Sequence, residues 1–162
     1  MNNLKIGFDL LFFAVVGLAI LGSFFLGEEK SQRLAIGVLV GSFAVTQLSE
    51  PLEKLLGGKT ELITPAIISI IIMSICVGLC MLGKNVRDKK WPKSKIKALI
   101  SGALSGVVAV AYIIASIPEQ TRYNLVTDHN LAAMAYDLRI YLASALIVWL
   151  LITYMSVGKA KK

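Results

Sequence analysis

Apolar runs long enough to cross a lipid bilayer follow one another along this chain, separated by short charged or polar gaps, and this restricts its fold more than any other feature. The first run extends from Ile6 to Gly27 and is interrupted only by Asp9. Others extend from Leu62 to Gly83, with Pro65 in the first turn, and from Ile96 to Ile117, closed by Pro118. The last is mixed near Leu131 and fully apolar from Ile140 to Val157. At about 1.5 Å of rise per residue, about 20 helical residues cross a hydrocarbon core about 30 Å thick. Backbone polar groups in hydrocarbon have no water to bond, so such runs fold as helices.

The second run, Leu34 to Leu48, is the short one, and it ends among Thr46, Gln47, Ser49 and Glu50 ahead of Pro51. Leu52, Leu55 and Leu56 then suggest a helical extension at the interface, before a turn at Gly57-Gly58-Lys59. The pattern predicts an all-α integral membrane bundle that forms one domain over residues 1–162. Its spans fall near 6–27, 34–50, 62–83, 96–117 and 136–157, which makes five, or four if the second run does not cross. Glu28 to Arg33 and Glu119 to Asn130 read as loops.

Composition agrees with this reading. The chain is 56% hydrophobic and 17% charged, whereas soluble domains carry about 25% charge. The first run has Lys5 before it and Asp9 within it, and no small-x-small cleavage site precedes Glu28, so it reads as an uncleaved helix rather than a signal peptide. Cys76 and Cys80 lie four apart, on one helix face but a full turn of rise apart, which suits packing rather than a disulfide or a redox pair.

The net charge of +7 sits in the gaps between apolar runs, which fits membrane topology better than nucleic-acid binding. With five spans, Lys30, Arg33, the basic loop (Lys84, Arg87, Lys89, Lys90, Lys93, Lys95 and Lys97) and the terminal lysines Lys159, Lys161 and Lys162 share one side. Those twelve face four on the other side, Lys5, Lys54, Lys59 and Arg122. The richer side is expected in the cytoplasm, with the C-terminus inside and the N-terminus outside. The basic loop fixes topology and also suits anionic headgroups at the cytoplasmic face, with Trp91 as an interfacial anchor.

Of the ionisable residues within the spans, Asp9 in the first and Asp137 and Arg139 at the start of the fifth come first. All lie at one depth near the outer surface, as do Glu50 and Glu53. Three readings stand for them: headgroup-level residues, an interhelical Asp9–Arg139 pair, or the mouth of an ion path. Asp137 and Arg139 are two apart and face away from each other on a helix. Small-residue stripes at Gly37 and Gly41, followed by Ala44, and at Gly102 and Gly106, beside Ser101 and Ser105, let helix backbones approach within the chain or between copies. His129 is the only histidine, which argues against a metal site, and no common catalytic or phosphate-binding motif occurs. No enzyme activity and no cofactor are expected.

Phe8-Asp9-Leu10, the Gly27-Glu28-Glu29 segment, Leu34-Ala35-Ile36-Gly37, Glu50-Pro51-Leu52 and Gly102-Ala103-Leu104-Ser105-Gly106-Val107 together resemble the colicin V production protein family of small bacterial inner-membrane proteins. The resemblance covers roughly residues 6–117 and rests on glycines and one acid in apolar surroundings. It implies an accessory membrane protein linked to secretion of a peptide toxin and to envelope traits. This chain departs from the pattern in two ways: two glutamates replace a basic exit from the first helix, and a fifth apolar segment follows the usual four. The expected function is a non-enzymatic inner-membrane accessory to export or envelope maintenance, acting through helix–helix association with its own copies or other membrane proteins. The alternative is an oligomeric pore or transporter, ion channel or holin-like, with Asp9, Asp137 and Arg139 at its outer mouth.

Overall fold

A computed structural model describes residues 2–55, 64–82 and 94–159, with side chains described for 10–48, 51–52, 65–82, 94–119 and 122–155. The described residues are helical: α1 (Asn2–Leu55), α2 (Thr64–Leu82), α3 (Lys95–Ser116), α4 (Glu119–Asp128), α5 (Asn130–Asp137) and α6 (Arg139–Lys159). Three stretches, Leu10–Leu48, Pro65–Leu82 and Lys95–Ser116, are long and apolar enough to cross a membrane. A fourth is added if α5 and α6, which meet at a bend of 62°, count as one span.

α1 is broken at Gly27, whose backbone sits at φ 79° and ψ 174°, a region essentially confined to glycine. The break reverses the chain. The Ser31 hydroxyl reaches the carbonyl oxygens of Gly27 at 2.7 Å and Ser23 at 3.0 Å, although residues eight apart in an unbroken helix are separated by about 12 Å of rise. Val15 and Ala19 before the break line the same apolar groove of about 210 Å³ as Leu34 and Val38 after it. The N-terminal arm (2–26) and the C-terminal arm (28–55) therefore lie against each other.

α3 runs through the middle of the bundle. It starts at Ser94, whose hydroxyl accepts the Lys97 N–H at 3.3 Å as an N-cap. It stops at Ile117, which takes an extended conformation ahead of Pro118, as a residue before proline tends to. The N-terminal arm packs antiparallel to it: Phe12 joins Val110, Ala111 and Ile114 in one apolar cluster, with Ala132 and Ala135 of α5. The C-terminal arm contributes Ala35, Val38 and Val45 to a second cluster with Met73 of α2, Val108 of α3 and Leu146 of α6. The Trp149 indole N–H donates to Ser101 Oγ at 2.9 Å and ties α6 to α3. Leu18, Phe25, Ile71, Leu79, Leu151 and other large apolar side chains point outward, as they do when hydrocarbon is the solvent.

Three local expectations are corrected. Residues 28–33 are helical rather than a loop, because one glycine suffices to turn the chain. The helical extension suggested by the leucines after Pro51 is present as far as Leu55, as a direct continuation of α1. The polar segment after Pro118 forms α4, with Glu119 in its first turn, where an acid favours the helix dipole. The fifth apolar segment begins its straight course at Arg139, since Leu138 (φ −88°, ψ 3°) breaks it from α5.

Candidate functional site

Polar side chains gather at the two ends of the bundle. At the end formed by the Gly27 turn, Glu28 opens the C-terminal arm and its carboxylate is driven inward, with 1% of the side chain exposed. Glu28 Oε2 accepts the Ser94 backbone N–H at 3.2 Å. A carboxylate at the start of α3 also meets the positive end of that helix's dipole. Glu28 Oε1 lies 3.7 Å from Lys97 Nζ. The neighbouring Glu29 takes the opposite course, remaining partly exposed and pairing with Arg33 at 2.8 Å one turn on. Ser23 Oγ, Glu28 Oε1 and Gln32 Nε2 are buried without a hydrogen-bond partner among the described residues. The arrangement is a clasp: a buried acid holds the hairpin turn to the first turn of α3.

This clasp was not legible as a site, since Glu28 and Glu29 look alike in sequence. A usable signal was present in the glycine just before Glu28 and in Ser94-x-x-Lys97 at the start of an apolar run. Two members of the basic loop are spoken for: Lys97 faces Glu28, and Lys95 Nζ lies 4.9 Å from the centre of the Phe24 ring. Lys84, Arg87, Lys89, Lys90 and Lys93 lie outside the described residues.

At the other end, Arg122 donates from Nη1 to the carbonyl oxygens of Ala115 at 3.0 Å and Ile117 at 3.4 Å, closing the C-terminus of α3. Its guanidinium lies 4.9 Å from the centre of the Tyr136 ring. Arg139 approaches the same ring at 4.1 Å and donates from Nη1 to the Tyr136 carbonyl at 2.7 Å. Asp137 is exposed. The Asp9 side chain, and with it the expected Asp9–Arg139 pair, lies outside the described residues. His129 is buried in the junction between α4 and α5.

The glycine stripes sit where helices touch. A Cβ on Gly102 would come within 2.5 Å of Ser23 Oγ and 2.6 Å of the Ala19 carbonyl oxygen. One on Gly106 would meet Ala19 Cβ and Val16 Cα at 3.0 Å, so this stripe faces the N-terminal arm. A Cβ on Gly37 would stand 2.7 Å from Val77 Cα, and one on Gly41 would stand 2.8 Å from Met73 Sδ, so that stripe faces α2. Cys76 and Cys80 are free, half-buried thiols on α2. Among the described residues no group of three His, Cys, Asp or Glu side chains is placed to hold a metal ion.

Among the described residues these features define an all-helical class, with several helices able to cross a membrane. Comparison with protein-family models, curated proteins and solved structures finds no match to this chain.

Proposed function

We propose that the chain is a five-pass membrane protein of a bacterial inner membrane that works without catalysis, as an accessory to export or envelope maintenance through helix association. The arms of α1 each cross once, and α2, α3 and the α5–α6 pair make the remaining passes. The excess of basic residues on alternate connections sets the C-terminus in the cytoplasm and the N-terminus outside. The observation that carries the reading is the distribution of side chains with depth. Charged groups occupy the two ends, small residues such as Gly37, Gly102, Gly106 and Ala111 close the middle, and large apolar side chains face outward. A bundle of this kind presents a lipid-soluble surface on which other membrane helices pack. The link to export and the envelope rests on the family resemblance in the sequence.

The competing pore reading is tested on the same preparation. Protein reconstituted in vesicles is assayed for ion flux, with Asp9→Asn and Arg139→Gln as controls. Tight vesicles are the expected result and would remove the pore. Flux that disappears in those variants would sink the accessory reading.

A further inference from the structure

We propose that Arg122 and Arg139 form a binding site for the phosphate of a phospholipid headgroup; this rests on the membrane reading above. The two guanidinium groups come from different helices, α4 and α6, and both lie against the ring of Tyr136 on α5. Sharing one ring places them no more than about 9 Å apart, so each raises the positive potential at the other. Neither makes an ion pair among the described residues; the acids nearest in sequence, Glu119, Asp128 and Asp137, are exposed and unpaired with them.

Both side chains are held in place by bonds that leave donors over. Arg122 spends Nη1 on the end of α3 and Arg139 spends Nη1 on the Tyr136 carbonyl. Nε and Nη2 of each have no protein partner among the described residues, and their planar fork matches the two anionic oxygens of a phosphodiester. Fixing the forks beforehand lowers the ordering cost of binding.

The setting favours a lipid over free phosphate. The site is at the end of α3 that meets the polar helix α4, where a membrane interface falls in this topology. Tyr123, Met134, Ile140 and Tyr141 are exposed on the same three helices, and Leu138 is exposed at the break between α5 and α6. They offer apolar and interfacial contact to an acyl chain and glycerol backbone, which a free anion does not use.

The test uses the full-length chain in detergent micelles and native mass spectrometry. Phosphatidylglycerol, diacylglycerol and inorganic phosphate are added in separate titrations. Retention of phosphatidylglycerol at least tenfold above diacylglycerol is expected, with a loss of at least tenfold in the Arg122→Gln/Arg139→Gln double variant. Replacing both by lysine keeps the charge and removes the fork, so a several-fold loss is expected there. That pair carries the test if the glutamine variant does not fold, and unchanged binding in it would overturn the site. Equal retention of diacylglycerol would overturn it as well, and displacement by millimolar inorganic phosphate would overturn the lipid source. Asp9→Asn is included because a carboxylate from the N-terminal arm is the rival occupant; lipid retention seen only in that variant would assign the arginines to Asp9. A chain that stays monodisperse without detergent would instead count against the membrane reading itself.

Discussion

Gly17 and Gly22 lie in the N-terminal arm of α1 and Gly27 at the break that ends it, and a Cβ added at any of them meets nothing within 4 Å. Sterics between neighbours therefore cannot distinguish them; backbone conformation can. Gly17 and Gly22 are helical, where alanine is favoured over glycine by about 1 kcal/mol. Gly27 holds φ 79° and ψ 174°, a conformation that costs an L side chain about 1–3 kcal/mol. Gly27→Ala is therefore expected to destabilise while Gly17→Ala and Gly22→Ala stabilise, a spread of about 2–4 kcal/mol between substitutions of identical chemistry. Equilibrium unfolding in mixed micelles of increasing SDS fraction, followed by the fluorescence of Trp91 and Trp149 together and by circular dichroism, reads the difference. If Gly27→Ala proves as stabilising as Gly22→Ala, the chain does not reverse at that residue and the hairpin is wrong.

The stripe glycines should rank by what a methyl group would meet. Gly102→Ala strikes a backbone carbonyl at 2.6 Å and Gly37→Ala a backbone Cα at 2.7 Å. Neither obstacle can rotate away, so each should cost about 1–3 kcal/mol. Gly41→Ala first meets the flexible sulfur end of Met73 and Gly106→Ala contacts at 3.0 Å, so both should cost less in the same unfolding assay. Glu28→Ala removes a buried charged acceptor from the Ser94 N–H and strands no second charge, because Lys97 is 29% exposed and reaches water. A loss of about 1.5–3 kcal/mol is expected, with Glu29→Ala, on the partly exposed pair, below about 1 kcal/mol as the control.

The apolar runs were readable because lipid leaves little choice: a run of about 20 such residues has only helix open to it. α3, expected over Ile96 to Ile117, forms from Lys95 to Ser116 because a serine cap and a following proline mark its ends in the sequence itself. The Gly27 turn was harder to see. A polar Glu28-Glu29-Lys30 stretch looks like a solvated loop, and only the start of α3 packed against it gives Glu28 a reason to be buried. The same holds for α4, whose polar sequence carries no strong periodic pattern and whose place is set by Arg122 reaching back to α3. Gly37, Gly41, Gly102 and Gly106 stood out by spacing alone, but which neighbour each would face depends on the order of helices around α3, which no local pattern encodes.

In the proposed topology α1 crosses twice, so that the chain ends lie on opposite sides of the membrane. It is tested most directly by labelling single cysteines at Asn3 and Lys161 with a membrane-impermeant maleimide, in a chain whose Cys76 and Cys80 are replaced by alanine. In intact cells Asn3→Cys should be labelled, and Lys161→Cys should react only after the cells are opened. Labelling of both positions from the same side would mean an even number of crossings and would contradict the account.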